Sequence, residues 1–213
     1  MTDGHCPIKV VTISASYGAG GTVVGPQVAA RLGLPFAERA LRPAEVERLS
    51  EGLADNEQEQ SWLERLIAGA ARLPAIIGVS LPPPTEGMTE EERFRAQNET
   101  IICELMAGQG GVVLGRGAAA FLGRQRGCYH VRLDGPAEAR IAQAARIEDI
   151  SEEEAARRQA VTDRARTLYN QRFYNRDLND ASLYHLVVDT TTVPLSTATE
   201  LIVTAVKAAT SQA

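Results

Sequence analysis

Four β-branched residues, Val10-Val11-Thr12-Ile13, run into a segment with three glycines among four positions, Gly18, Gly20 and Gly21. The first run predicts a short buried strand, and the glycines end it in a loop. Apolar residues then recur at helical spacing at Val24, Val28, Ala29 and Leu32, with Gly33 placed to close the helix. Strand, glycine loop, helix is an arrangement that turns backbone N–H groups toward an anion and adds the positive end of a helix dipole. Phosphate is the ligand this chemistry suits.

Set against the phosphate-binding pattern G-x-x-x-x-G-K-[ST] and aligned on Gly20, the first glycine position holds Ala15, the lysine position Gly21 and the hydroxyl position Thr22. The chain has two lysines, Lys9 and Lys207, and neither adjoins the loop. A backbone cradle is expected without its own cation. Any further positive charge must come from arginine. A glycine turn after a strand also serves as plain scaffold, so the loop alone does not decide between the two.

A length of 213 residues with 44% hydrophobic content fits a single domain with a sizeable core. The formal net charge of -5 argues against general affinity for nucleic acid or anionic membrane. Cys6, Cys103 and Cys128 are widely spaced and odd in number, which argues against a disulfide framework and against a zinc site and fits a reducing, cytoplasmic setting. No leader-like N-terminus or membrane-length apolar run is expected, and His5, His130 and His185 have no metal-ligand spacing.

Between about 37 and 108 the pattern is helical: a helix opened by Pro43, a longer one from about Glu57 to Ile77, and a third from the Thr89/Glu92 capping box with Phe94, Ile101, Ile102, Leu105 and Met106 inward. Pro82-Pro83-Pro84 is a stiff connection. The apolar stripe Leu66 to Leu81 is read as a buried or homodimer-facing helix. Because Gly111-Val112-Val113-Leu114 resumes the buried-strand pattern, the region reads as an insertion of about 37–108 in a core of about 8–36 and 109–213.

That strand ends in Gly115-Arg116-Gly117, where an open parallel sheet binds ligands. Arg116 is either a phosphate-binding guanidinium or an exposed turn residue. A strand at Tyr129 to Leu133, a helix from Pro136 to about Ile147 and a long helix capped by Ser151 and Glu154 follow. Arginines crowd this region: Arg140, Arg146, Arg157, Arg158, Arg164, Arg166, Arg172 and Arg176. Asp163 and Arg166 share a helix face, so a carboxylate can pose a guanidinium while others reach for phosphate. Leu186 to Asp189 is the last strand, before an amphipathic helix with Leu201, Ile202 and Val206.

Taken in order, these motifs resemble the cytidylate-kinase-like family of P-loop nucleoside monophosphate kinases. The resemblance rests on Ile13-Ser14 through Gly21, Leu32-Gly33-Leu34-Pro35-Phe36, Gly115-Arg116, Asp163 to Arg166 and Val188-Asp189-Thr190-Thr191. It implies a three-layer α/β P-loop fold, a helical acceptor-binding insertion and an arginine-rich lid at about 146–165. It further implies ATP as donor, Mg²⁺ as cofactor and nucleotides as partners. Gly18, Ala19, Gly20, Gly21 and Thr22 match the donor-phosphate loop, with Thr22 at the metal-facing hydroxyl. Arg116 matches an acceptor contact, Asp163 and Arg166 match an Asp-x-x-Arg pair facing the acceptor site, and Arg140 and Arg146, with Arg157 or Arg158, match lid groups that contact phosphate. Arg164, Arg166 and the lid arginines are expected to stabilise the transferring phosphoryl. Relatives often carry an arginine where this chain has Thr22, so that cation is absent as well. A CMP/dCMP kinase, a non-catalytic nucleotide-binding or interaction protein, and a kinase for another small phosphate acceptor all stay open.

Overall fold

A computed structural model provides the structure and describes residues 7–38 and 90–212. The helices expected from Pro43 to Ile77, the Pro82–Pro84 connection, Thr89 and the Leu66–Leu81 stripe lie outside these residues.

The sheet is built from five parallel strands: β1 (Val10–Ala15), β2 (Phe36–Ala37), β3 (Gly111–Leu114), β4 (Cys128–Asp134) and β5 (Leu186–Asp189), in the order β2-β3-β1-β4-β5. Their period-2 geometry divides the strand side chains between two cores. Val11, Ile13, Val112, Leu114, Val131 and Leu133 face one side and meet Val24 and Val28 of helix α1 (Gly21–Leu32). The C-terminal helix Leu195–Gln212 adds Ile202, Val203 and Val206 to the same layer. Val10 and Val113 face the other side, against Ile102 of helix α2 (Glu90–Ala107) and Ala118 and Leu122 of helix α3 (Ala118–Leu122). Val10, Val11 and Ile13 are 0% exposed, because both faces of the central strand are covered. Fully burying one such aliphatic side chain stabilises the fold by roughly 1.5–3 kcal/mol.

Beyond β4 come helices α4 (Ala137–Glu148) and α5 (Glu152–Tyr174), which form a hairpin. The turn is made by Asp149 in the left-handed region, φ 53°, and by Ser151, whose side chain accepts the Glu154 N–H at 3.1 Å. The segment 146–165 is therefore the corner of this hairpin and the first half of α5. A short 3₁₀ turn, Ala181–Leu183, leads into β5, and the C-terminal helix is α6.

Two details depart from the sequence pattern. Helix α3 has five residues, too few for any periodicity, and its alanines carry no strong signal. Leu201 is 47% exposed while Ile202 and Val206 are buried, so the inward stripe of α6 excludes it. No helix among the described residues is long and apolar enough to cross a membrane.

Candidate phosphate-transfer site

The glycine loop leaves β1 at its C-terminal end. Ser16 N–H donates to Leu133 O at 3.1 Å, Ala19 N–H to Ser16 O at 3.1 Å, and Val23 and Val24 N–H both to Gly20 O at 3.0 Å. Gly18 and Gly20 have φ of 78° and 71°. A Cβ at Gly18 would lie 2.1 Å from Arg140 O, and one at Gly20 would lie 2.5 Å from the Leu195 side chain. Both glycines are thus required by conformation and by space. The N–H groups of Gly21 and Thr22 open α1, where the helix has no internal acceptor for them.

A shallow cleft lies over this loop. Ser16, Tyr17, Gly18, Gly20, Gly21 and Thr22 line it from below, and Ala144, Ile147 and Glu148 of α4 line it from above. Ala19 is fully buried, its amide used within the loop and its carbonyl accepting Thr190 Oγ1 at 2.9 Å. Of the expected loop residues, Gly18, Gly20, Gly21 and Thr22 line the cleft and Ala19 does not.

Three guanidinium groups grip the back of the loop. Arg140 Nη1 donates to Tyr17 O at 2.7 Å and to Asp163 Oδ2 at 2.8 Å, and its Nε donates to Gly135 O at 2.9 Å. Arg166 Nη1 donates to Ala15 O at 2.7 Å and approaches Asp163 Oδ1 at 3.4 Å. Arg132 Nη2 donates to Ser16 Oγ at 2.8 Å and to Asp134 Oδ2 at 3.0 Å. Asp163 closes the network by accepting Tyr17 N–H at 2.8 Å. Burial opposes the charge on Asp134, but Arg132 and Ser16 outweigh it and hold its carboxyl below the usual carboxylate range. Arg140, Arg166 and Asp163 therefore meet at one place, fixing backbone carbonyls and each other.

Tyr17 was not singled out by the sequence, yet it joins loop to hairpin. Its ring is 1% exposed among Ile141, Ala144, Ala145, Ile150 and Ala155, and its hydroxyl donates to Glu148 Oε2 at 3.0 Å. Burial, then the Glu148 charge, pushes its pKa up, so the phenol stays protonated. Arg158 pairs with Glu148 at 3.0 Å and with Glu154 at 2.7 Å, and Arg157 also pairs with Glu154. Arg146 is exposed, its Nε on Ala142 O of its own helix, and Arg164 is exposed too. An aromatic residue inside a glycine loop was the available signal for Tyr17, since solvent would be a poor place for it.

Arg116 stands at the end of β3, one strand away from the loop. With φ 57° it turns back so that Nε donates to Glu38 O and Nη1 to Asn98 Oδ1, both at 2.7 Å. Asn98 is 1% exposed and lies 3.5 Å from Tyr169 OH. Tyr169 sits in an aromatic group with Phe94, Phe173 and Tyr174. Burial lowers the Arg116 pKa, countered by Tyr169 and Glu38, and the guanidinium remains charged at neutral pH. Helix α5 links the two places, with Asp163 and Arg166 at the loop and Tyr169 and Tyr174 against Gly117.

Among the described residues no three His, Cys, Asp or Glu side chains are grouped to hold a metal. The cleft offers oxygen chemistry instead, with Thr22 at the start of α1 and the Glu148 carboxylate on the opposite wall. That set fits a hard cation which keeps its waters and binds mainly through substrate phosphates.

A parallel 2-3-1-4-5 sheet, helices on both faces and a glycine loop between β1 and α1 define the three-layer P-loop kinase type of fold. The profile of the cytidylate kinase-like family matches residues 10–192, and the chain belongs to that family. An uncharacterized protein from Eubacterium ventriosum shares 16% identity over 93% of this chain and 98% of its own, with a TM-score of 0.60. Shikimate kinase from Acinetobacter baumannii shares 16% over 94% of each chain at a TM-score of 0.46, and a sugar kinase from Janibacter 19% over 93% and 94% at 0.46. At these identities the likeness is one of fold. No curated protein sequence matches the chain.

Proposed function

We propose that this protein transfers the γ-phosphoryl of ATP to a nucleoside monophosphate such as CMP or dCMP. The observation that carries the proposal is the pairing of a glycine-loop cleft with a charged, half-buried Arg116 one strand away, the two joined by α5. In this reading the amides of Gly18, Gly20, Gly21 and Thr22 hold the donor phosphates, and Arg116 receives the acceptor phosphate. An acceptor phosphate oxygen attacks the γ-phosphorus while the bond from that phosphorus to the β-bridging oxygen breaks, and ADP leaves with the electron pair. Catalysis of this kind comes from position and charge. Arg140, Arg166 and Asp163 fix the peptide planes of residues 15–17, so the donor amides need no reorganisation during transfer. Arg164 and Arg146 are the exposed arginines that closure of the hairpin on substrate would bring in. Mg²⁺, which Thr22 would hold, supplies charge neutralisation on the phosphate oxygens.

A second reading, nucleotide binding without turnover, is favoured by one observation: Arg157 and Arg158 are paired with carboxylates of their own hairpin, and no cationic side chain lines the cleft among the described residues. An ADP-release assay with ATP, Mg²⁺ and a panel of nucleoside monophosphates, run beside calorimetry with ATP, separates the two. Turnover with CMP or dCMP is the expected result. Turnover with only a different phosphate acceptor would reassign the substrate, and binding without turnover on any acceptor would support the second reading.

A further inference from the structure

A polar side chain interrupts the apolar inner face of α2. Asn98 is 1% exposed and lies four residues from Phe94 on one side and from Ile102 on the other, so the three share that face. An aliphatic residue would continue the packing, whereas a buried amide has to find hydrogen-bond partners. Both of its ends have one. Oδ1 accepts Arg116 Nη1 at 2.7 Å, and Nδ2 lies 3.5 Å from the Tyr169 hydroxyl. A guanidinium carries donors only, which sets the orientation of the amide, oxygen toward Arg116 and nitrogen toward Tyr169. Tyr169 is itself wedged, edge-on to Phe94 at 6.1 Å and to Phe173 at 5.0 Å. With Tyr174 it also presses on Gly117, where a Cβ would lie 2.6 Å from the Tyr174 ring and 3.1 Å from the Tyr169 ring. The Arg116 side chain is thereby pinned through Nε by the Glu38 carbonyl and through Nη1 by Asn98, and among the described residues Nη2 makes no hydrogen bond.

We infer that Asn98 is a positioning residue: its amide fixes the pose of Arg116 for the acceptor phosphate without neutralising it, and Tyr169 keeps that amide the right way round. The inference rests on Arg116 being the acceptor contact, and it deepens that reading by naming what sets the pose and charge of the contact. A carboxylate of the same size would grip the guanidinium at a similar distance but cancel its field, as Asp163 does for Arg140 behind the loop. A short aliphatic side chain would leave the charge and release the pose. The amide oxygen grips and leaves the charge in place. Because Tyr169 belongs to α5, which also carries Asp163 and Arg166, one helix registers the pose of Arg116 against the loop.

Calorimetric titration of the full chain with CMP and with ATP, beside steady-state turnover read separately as KM and kcat, tests it. Asn98→Asp turns the Arg116 contact into an ion pair, so the thermal unfolding midpoint should stay at or above the wild-type value. CMP affinity should nevertheless fall, and its KM rise, by ~10–100-fold, with ATP affinity and kcat within about threefold of wild type. Tyr169→Phe keeps the ring and frees the amide to turn, and should weaken CMP by ~3–10-fold at unchanged ATP affinity. Glu104→Gln, an exposed carboxylate on the same helix, should change neither affinity. If Asn98→Asp binds CMP as tightly as the wild type, or loses CMP and ATP affinity alike, the amide serves packing alone and the inference is overturned. Wild-type CMP affinity in Tyr169→Phe overturns the orienting role of that hydroxyl. Arg116→Ala separates these results from the reading beneath them: if it keeps wild-type CMP affinity, or if the wild-type protein binds neither CMP nor dCMP, Arg116 is not the acceptor contact and the inference falls with it. Should Asn98→Asp fold poorly by circular dichroism, Tyr169→Phe decides.

Discussion

The loop end of the site and the Arg116 end use the same side chain to opposite purpose. Around the loop, Arg132 and Arg140 are bound to Asp134 and Asp163, and Arg166 adjoins Asp163, so their charge is largely compensated inside the protein. Arg116 is held by a backbone carbonyl and a side-chain amide, both neutral, and the Glu38 carboxylate acts on it from beyond ion-pair distance among the described residues. A guanidinium held by carboxylates has its field cancelled and acts as a brace. One held by neutral oxygens keeps its charge for an incoming anion. The loop end is thus braced and its arginine charge compensated, while the Arg116 end keeps its cation outside any ion pair among the described residues.

The substitution expected to act most strongly on this contrast is Gly18→Ala. Its Cβ would overlap the Arg140 carbonyl at a φ of 78°, so ATP binding should be lost and the midpoint of thermal unfolding should fall by many degrees. Wild-type ATP affinity in this variant would mean that the loop does not form the donor site. Asp163→Ala, which strands Arg140 beside an unsatisfied Tyr17 N–H, should cost about 3 kcal/mol in urea denaturation. Arg116→Ala should do the reverse, leaving stability comparatively untouched while raising the acceptor KM by ~10–100-fold at unchanged ATP affinity. If Arg116→Ala destabilised as much as Asp163→Ala without touching the acceptor KM, the brace-versus-reader distinction would collapse.

His130 extends the contrast to a group kept neutral. Its Nε2 lies 2.6 Å from Gly123 O, an acceptor only, so Nε2 carries the proton and Nδ1 accepts from Thr12 Oγ1 at 2.7 Å. Burial drives its pKa down to about 4. The unfolded chain therefore takes up this proton at a higher pH than the folded one. The stabilisation is complete above about pH 6.5 and is lost as pH falls from there toward 4, by about 3 kcal/mol in all. Urea denaturation across that range should show the loss in the wild type and a smaller one in His130→Gln. The smallest effect belongs to Ser151→Ala, which removes the cap of α5 and should cost ~1 kcal/mol in urea denaturation.

The strand Gly111–Leu114 matches the sequence pattern residue for residue, because a fully buried parallel strand requires an unbroken apolar run, and Leu186–Asp189 also falls where the pattern put it although it is an edge strand with Val187 53% exposed. The Ser151 cap was equally plain, since its oxygen and the Glu154 amide are three residues apart. Within the site, the glycine loop and the Asp163/Arg166 pair could be found from spacing. Their meeting could not, because Tyr17 and Asp163 are 146 residues apart and only the crossing of α5 over the strand ends brings them together. Arg140 illustrates the same limit: its identity suggested a phosphate contact, but whether a guanidinium faces a ligand or a carbonyl depends on the path of two separate helices.

By itself the sequence determined the order of the elements, the glycine turn and the absence of a lysine from it, since these depend on local sterics, periodicity and side-chain identity. The tertiary structure decided which charges meet, setting Asp163 between Arg140 and Arg166 behind the loop and turning Arg116 onto the Glu38 carbonyl and Asn98. Charges act through space with a strength set by distance and burial, and neither quantity exists until the chain has folded.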